Sequence, residues 1–85
     1  MPTISRFYGI TIYMYTEDHN PPHFHAMYNK YKCSVDLKTL KVKGNFPKDK
    51  IKILLGWATL HIEELYQARD LMTNECKVLQ INPLI

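Results

Sequence analysis

Cysteine is scarce in this chain. The two cysteines, Cys33 and Cys76, lie far apart and form neither a metal-binding nor a redox pair motif. They are expected to be reduced thiols of a cytoplasmic protein. No apolar run approaches the length of about 18 residues that a membrane helix needs, so no membrane partner is expected. The N-terminus has neither a basic segment nor an apolar segment after it, so no signal peptide is expected. Repeats, low-complexity tracts and linkers are also absent, which leaves a single domain over residues 1–85. Ser5 and Ser34 sit in no nucleophile elbow, and there is no helix-turn-helix or RNA-recognition-motif signature. These absences weigh against nucleophilic catalysis and against sequence-specific reading of DNA.

What is present suits a small soluble globular protein, with 46% hydrophobic and 22% charged residues. The net charge of +3 is unevenly spread. Between Lys30 and Lys52 there are eight lysines against Asp36 and Asp49, whereas the remainder is acidic on balance. Such asymmetry marks a face for phosphate or for an acidic partner, or simply a solvated lysine face.

The stretch Asp18-His19-Asn20-Pro21-Pro22-His23-Phe24-His25-Ala26 holds three of the four histidines and two of the five prolines. His23 and His25 are two residues apart, so on a strand they share a face, and the prolines stiffen the approach to it. A two-residue turn at Asn29-Lys30 pairs Tyr28 with Tyr31, Ala26 with Cys33 and Phe24 with Val35. One face then reads Phe24, Ala26, Tyr28, Tyr31, Cys33, Val35, Leu37, almost wholly apolar. The other reads His23, His25, Met27, Lys32, Ser34, Asp36. A slip of one residue would mix the two sets, so the pattern selects this register. It sets His23 across from Asp36 and His25 across from Ser34.

Upstream, Ile4 to Tyr15 reads as one long strand with a bulge or bend at Gly9. Ile10, Ile12 and Met14 point inward, and Thr11, Tyr13 and Tyr15 outward. Downstream, Leu40 to Lys43 reads as a short strand that Gly44-Asn45 breaks. From Pro47 to about Met72, Ile51, Leu54, Leu55, Ala58, Ile62, Leu65 and Met72 recur at helical spacing, with Asn74 as the stop. Val78 to Ile81 is a candidate last edge strand. The expected fold is α+β: a small, mainly antiparallel sheet of four or five strands with one long helix packed on one face.

The opening Met1-Pro2-Thr3-Ile4-Ser5-Arg6-Phe7-Tyr8-Gly9-Ile10, the Pro-Pro-His-Phe-His-Ala block with its tyrosine-rich hairpin, and Trp57-Ala58-Thr59-Leu60-His61-Ile62-Glu63-Glu64-Leu65 resemble a small bacterial family, domain of unknown function family 4160. The resemblance covers nearly the whole chain. It implies a cytoplasmic protein whose gene neighbours one for a second small family, domain of unknown function 2442, in an arrangement like a toxin–antitoxin operon. It assigns no activity and no catalytic residue.

The candidate binding surface is the sheet face without the helix, carrying Tyr13, Tyr15, His19, His23, His25, Lys32, Asp36, Lys41 and Lys43. Aromatics interleaved with lysines suit a protein interface, and equally single-stranded RNA. The expected partner is the small operon-neighbour protein, with RNA as a second ligand and a homodimer as a further arrangement. Whether the chain is an enzyme stays open. A small ribonuclease would use His23 and His25 as its acid–base pair and Lys32 or Lys41 to hold phosphate. No cofactor is expected. The alternative is a zinc site at His23, His25 and Asp36, with His19 or Asp18 swinging in, but zinc needs more ligands than the strand face supplies. Without metal or catalysis, the two histidines fix the Pro-Pro loop by hydrogen bonds. His61 lies at the edge of the apolar helix stripe near Trp57 and within reach of Glu64, on the side of the sheet away from His23 and His25.

Overall fold

Alternating apolar and polar residues build a sheet with one dry face and one wet face, and the helical segment supplies the cover for the dry one. A computed structural model of the chain describes residues 3–15 and 21–83. Five strands follow one another as an antiparallel meander: β1 (Thr3–Phe7), β2 (Ile10–Tyr13), β3 (His23–Tyr28), β4 (Tyr31–Asp36) and β5 (Val42–Asn45). Two helices complete the chain, α1 (Lys48–Leu60) and α2 (Ile62–Glu75). The α+β expectation holds.

The central hairpin has the register that face segregation requires. His23 pairs with Asp36, Phe24 with Val35, His25 with Ser34, Ala26 with Cys33 and Tyr28 with Tyr31. Asn29 takes the positive φ of 52° that the tight turn demands. The core contains Ile10, Ile12, Met14, Phe24, Ala26, Val35 and Leu37 from the sheet side, and Leu54, Trp57, Ala58, Leu65, Ala68 and Met72 from the helices. Trp57 is fully buried, with its ring 4.9 Å from that of Phe7 and 6.1 Å from that of Phe24.

Four elements depart from the sequence expectation. The Ile4 to Tyr15 segment is a hairpin, because Tyr8 and Gly9 both take positive φ and reverse the chain. A register shift between Thr3 and Ser5 then lets both Ile4 and Ser5 turn toward the core. The strand expected at Leu40 begins at Val42, and Gly44 and Asn45 belong to it: Leu40 is in the preceding turn at φ 59°, and Gly44 lies directly across from Cys33.

The single long helix is divided at His61, which leaves helical geometry at φ −116° while capping α1 and opening α2. Apolar periodicity continues through the break, so it did not betray it. Finally, Val78 to Ile81 forms no regular strand. This segment is tied to β1 by the Ile81 N–H donating to the Ile4 carbonyl at 3.0 Å and Gln80 Nε2 donating to the Thr3 carbonyl at 2.8 Å. The Trp57 indole N–H donates to the Asn82 carbonyl at 2.9 Å and closes the strap over the core. None of the described helices is long and apolar enough to cross a membrane.

Candidate binding face and cleft

Strand parity places a polar array on the sheet face away from the helices. Cross-strand pairing organises it into rows running over all five strands. One row is Thr3, Tyr13, His25, Ser34, Lys43, and the next is Arg6, Thr11, Met27, Lys32, Asn45. A shorter row joins His23 to Asp36, whose N–H donates to the Lys41 carbonyl at 3.0 Å. The proposed binding residues Tyr13, His23, His25, Lys32, Asp36, Lys41 and Lys43 are therefore brought to this one side, with Tyr15 beside them. His19 and Asp18 lie outside the described residues.

The aromatic members pack on one another. Tyr13 stacks on His25 with ring centres 5.3 Å apart, and Tyr15 meets the edges of both Tyr13 and His25 at 5.6 and 5.0 Å. His23 continues the ladder 5.0 Å from His25. Tyr13 is only 4% exposed, so Tyr15 and His25 are the rings left at the surface and Tyr13 supports them from below. Burial, together with the adjacent Tyr15 phenol and its hydrogen bond, raises the Tyr13 phenol above its ordinary value of 10.0.

Next to His23 the face deepens into a cleft of about 470 Å³, lined by His23, Ser34, Asp36, Thr39, Lys41 and Lys43 with Pro21 at its rim. Its walls are internally braced. His23 Nδ1 lies 2.8 Å from the Pro21 carbonyl, an acceptor only, so Nδ1 carries a proton and donates it. The histidine thus ties down the Pro-Pro loop as its hydrogen-bonding role requires. The Leu37 N–H donates to the Pro22 carbonyl at 2.9 Å and joins this loop to the next turn. There, Asp36 Oδ1 accepts the Lys38 N–H at 2.7 Å and the Thr39 N–H at 3.3 Å, and the Leu40 N–H donates to the Asp36 carbonyl at 2.8 Å.

That use of Asp36 bears on the metal alternative. Its carboxylate holds a turn, and no group of three or more His, Cys, Asp or Glu side chains able to hold a metal occurs among the described residues. His61 is elsewhere, as its helix position implied. Its ring is 5.5 Å from that of Trp57 and its Nδ1 is 2.7 Å from Glu64 Oε1, on the helix side of the sheet. Cys33 is buried in the core, where desolvation pushes its thiol from 9.0 up to about 11, so it is no nucleophile at neutral pH.

Sequence reasoning named the cleft residues other than Thr39, with Pro21 as part of the stiff Pro-Pro approach, and it did not separate the cleft from the flat part of the face. The Asp36-Leu37-Lys38-Thr39 order, an acid followed by a hydroxyl residue in a turn, carried a usable signal for the side-chain-capped turn.

A family model described as Domain of unknown function (DUF4160) matches residues 9–68, from the β1–β2 turn into α2, and includes every cleft residue. No curated protein and no solved structure matches the chain.

Proposed function

This chain belongs to the DUF4160 family, and from that starting point we propose that it is the binding component of a two-gene, toxin–antitoxin-like module. It acts in the cytoplasm and docks a small, acidic partner protein on the open face of its sheet. The observation that carries this reading is the pair of five-strand rows, which sets Tyr13 and His25 in the middle of the face with Tyr15 packed against them, Arg6 and Lys43 on its two edge strands and Lys32 one strand in. Against these cations the same face carries Asp36, whose carboxylate is turned to backbone amides. Aromatic rings at the centre with basic residues at the rim are the make-up of an interface that recognises an acidic surface.

Co-expression with the product of the neighbouring small-family gene should yield a stable complex at micromolar concentration. Arg6→Glu/Lys32→Glu should weaken it by about tenfold or more, chiefly in association rate and with strong salt dependence. Absence of a complex would sink the reading, and self-association alone in the same sedimentation run would assign the face to a homodimer.

A second reading, RNA contact, is favoured by the row that runs from His25, with Tyr15 against its ring, through Ser34 to Lys43. It requires affinity for single-stranded RNA that falls linearly on a log–log plot against salt. If the contact is catalytic, His23 and His25 supply the acid–base pair, and His23→Ala/His25→Ala must abolish cleavage that the parent protein shows.

A further inference from the structure

The cleft at the end of the face has a chemistry of its own. We propose that it is a binding site for the terminal phosphate of a phosphate monoester of mononucleotide size, a function separate from partner docking on the flat part of the face. Its volume, about 470 Å³, falls in the range of small-ligand sites rather than of protein interfaces. Lys41 and Lys43 contribute two ammonium groups on neighbouring positions of one edge. Thr39 Oγ1 accepts the Lys41 N–H at 3.2 Å, which leaves its own hydrogen to donate outward, and the Ser34 hydroxyl lines the same space. A phosphate offers three strong acceptor oxygens to such a donor set, more than a carboxylate does.

Asp36 is the one carboxylate among the described residues of the cleft, and its Oδ1 is engaged by the turn. Asp36 Oδ1 accepts from the amides of Lys38 and Thr39, and in doing so shapes the turn that presents Thr39 and Lys41. His23 is held through Nδ1 by the Pro21 carbonyl, which fixes its ring at the cleft wall. The Leu37–Pro22 and Asp36–Lys41 backbone bonds join the loop and the turn that wall the cleft. The donors are thus preorganised, and little ordering accompanies binding. A concave wall also concentrates the field of the two lysines more than a flat surface would.

The test is an amide-resolved NMR titration of the full chain with 5′-AMP, inorganic phosphate and adenosine. AMP and phosphate should shift the signals of Ser34, Thr39, Lys41 and Lys43 saturably, and adenosine should not. Lys41→Ala/Lys43→Ala should weaken AMP by about tenfold or more, from loss of two charge-assisted hydrogen bonds. Lys48→Ala/Lys52→Ala, an equal loss of charge on α1, should leave it unchanged. The proposal is overturned if AMP moves no cleft signal, if adenosine does as well as AMP, or if both double variants weaken AMP equally. Tighter binding of a 5′-phosphorylated oligoribonucleotide than of its unphosphorylated form assigns the phosphate to an RNA end, and equal weak binding of both assigns it to a free mononucleotide. Partner docking is read separately, by Lys32→Glu, so failure of one reading is distinguishable from failure of the other.

Discussion

Trp57 is the largest fully buried side chain among the described residues. It contacts Phe7 and Phe24, and hydrogen-bonds the Asn82 carbonyl. Trp57→Ala should cost about 3–5 kcal/mol, enough to unfold much of a domain this small, and urea denaturation measures it. Ser5 should respond oppositely. Its hydroxyl is buried and finds no partner among the described residues, so Ser5→Ala should be neutral or stabilising by about 1 kcal/mol. Cys33 and Tyr13 set an alkaline limit. Both keep their protons in the fold above their ordinary values, because burial disfavours the anions. The unfolded chain releases those protons first. The stabilisation is therefore whole below pH 9 and is lost as pH rises from about 9 toward about 11. The Cys33 part is on the order of 2 kcal/mol, and Cys33→Ala should flatten the alkaline limb of a stability–pH curve by that amount. A thiol reagent should modify the exposed Cys76 in the native protein and Cys33 only on unfolding.

At the scale of the element, two glycines should give opposite results. A Cβ at Gly44 would meet the Lys32 carbonyl oxygen at 2.7 Å, and φ there is +114°, so Gly44→Ala should destabilise β5 by more than about 1 kcal/mol. At Gly56, inside α1, an added methyl meets nothing within 4 Å, so Gly56→Ala should stabilise by about 0.5–1 kcal/mol. Thermal melts of both variants check the signs. Legibility also differed by element. The β3–β4 hairpin could be read to the residue pair, because its two faces have opposite polarity and only one register keeps them apart. The β1–β2 hairpin could not, because Tyr8-Gly9 is an uncommon turn pair and the apolar alternation of its strands continues on either side. The break at His61 was hidden for a similar reason: periodicity reports which side of a helix is buried, and α1 and α2 bury the same stripe.

For the molecule as a whole, the sheet divides its two sides into separate tasks. The helices and the C-terminal strap cover one side, with Ile81 and Trp57 joining the strap to sheet and helix. The other side keeps its rows of polar and aromatic residues, and there the sequence's positive excess becomes Lys41 and Lys43 in one cleft and Lys32 on the flat part of the face. This division explains why the three described histidines do not make one site: His61 pairs with Glu64 on the covered side, while His23 and His25 meet edge to face on the open one. The Asp18 to Ala26 run, which looked like a metal pincer from composition, serves in its described part as the braced corner of the cleft.

By itself the sequence determined the α+β class, the faces of the sheet and the pairing of the central hairpin, since each follows from side-chain polarity at a period of two or of 3.6 residues. It also placed His23, His25, Ser34 and Asp36 together. Only the tertiary structure decided how those groups are used. The commitment of Asp36 to a turn, the hold of Pro21 on His23 and the arrival of Thr39, Lys41 and Lys43 at one hollow depend on how two loops meet. The bonds of Asp36 and His23 are local, but the Leu37–Pro22 backbone bond that brings loop and turn together joins segments distant along the chain and leaves no periodic trace in the sequence.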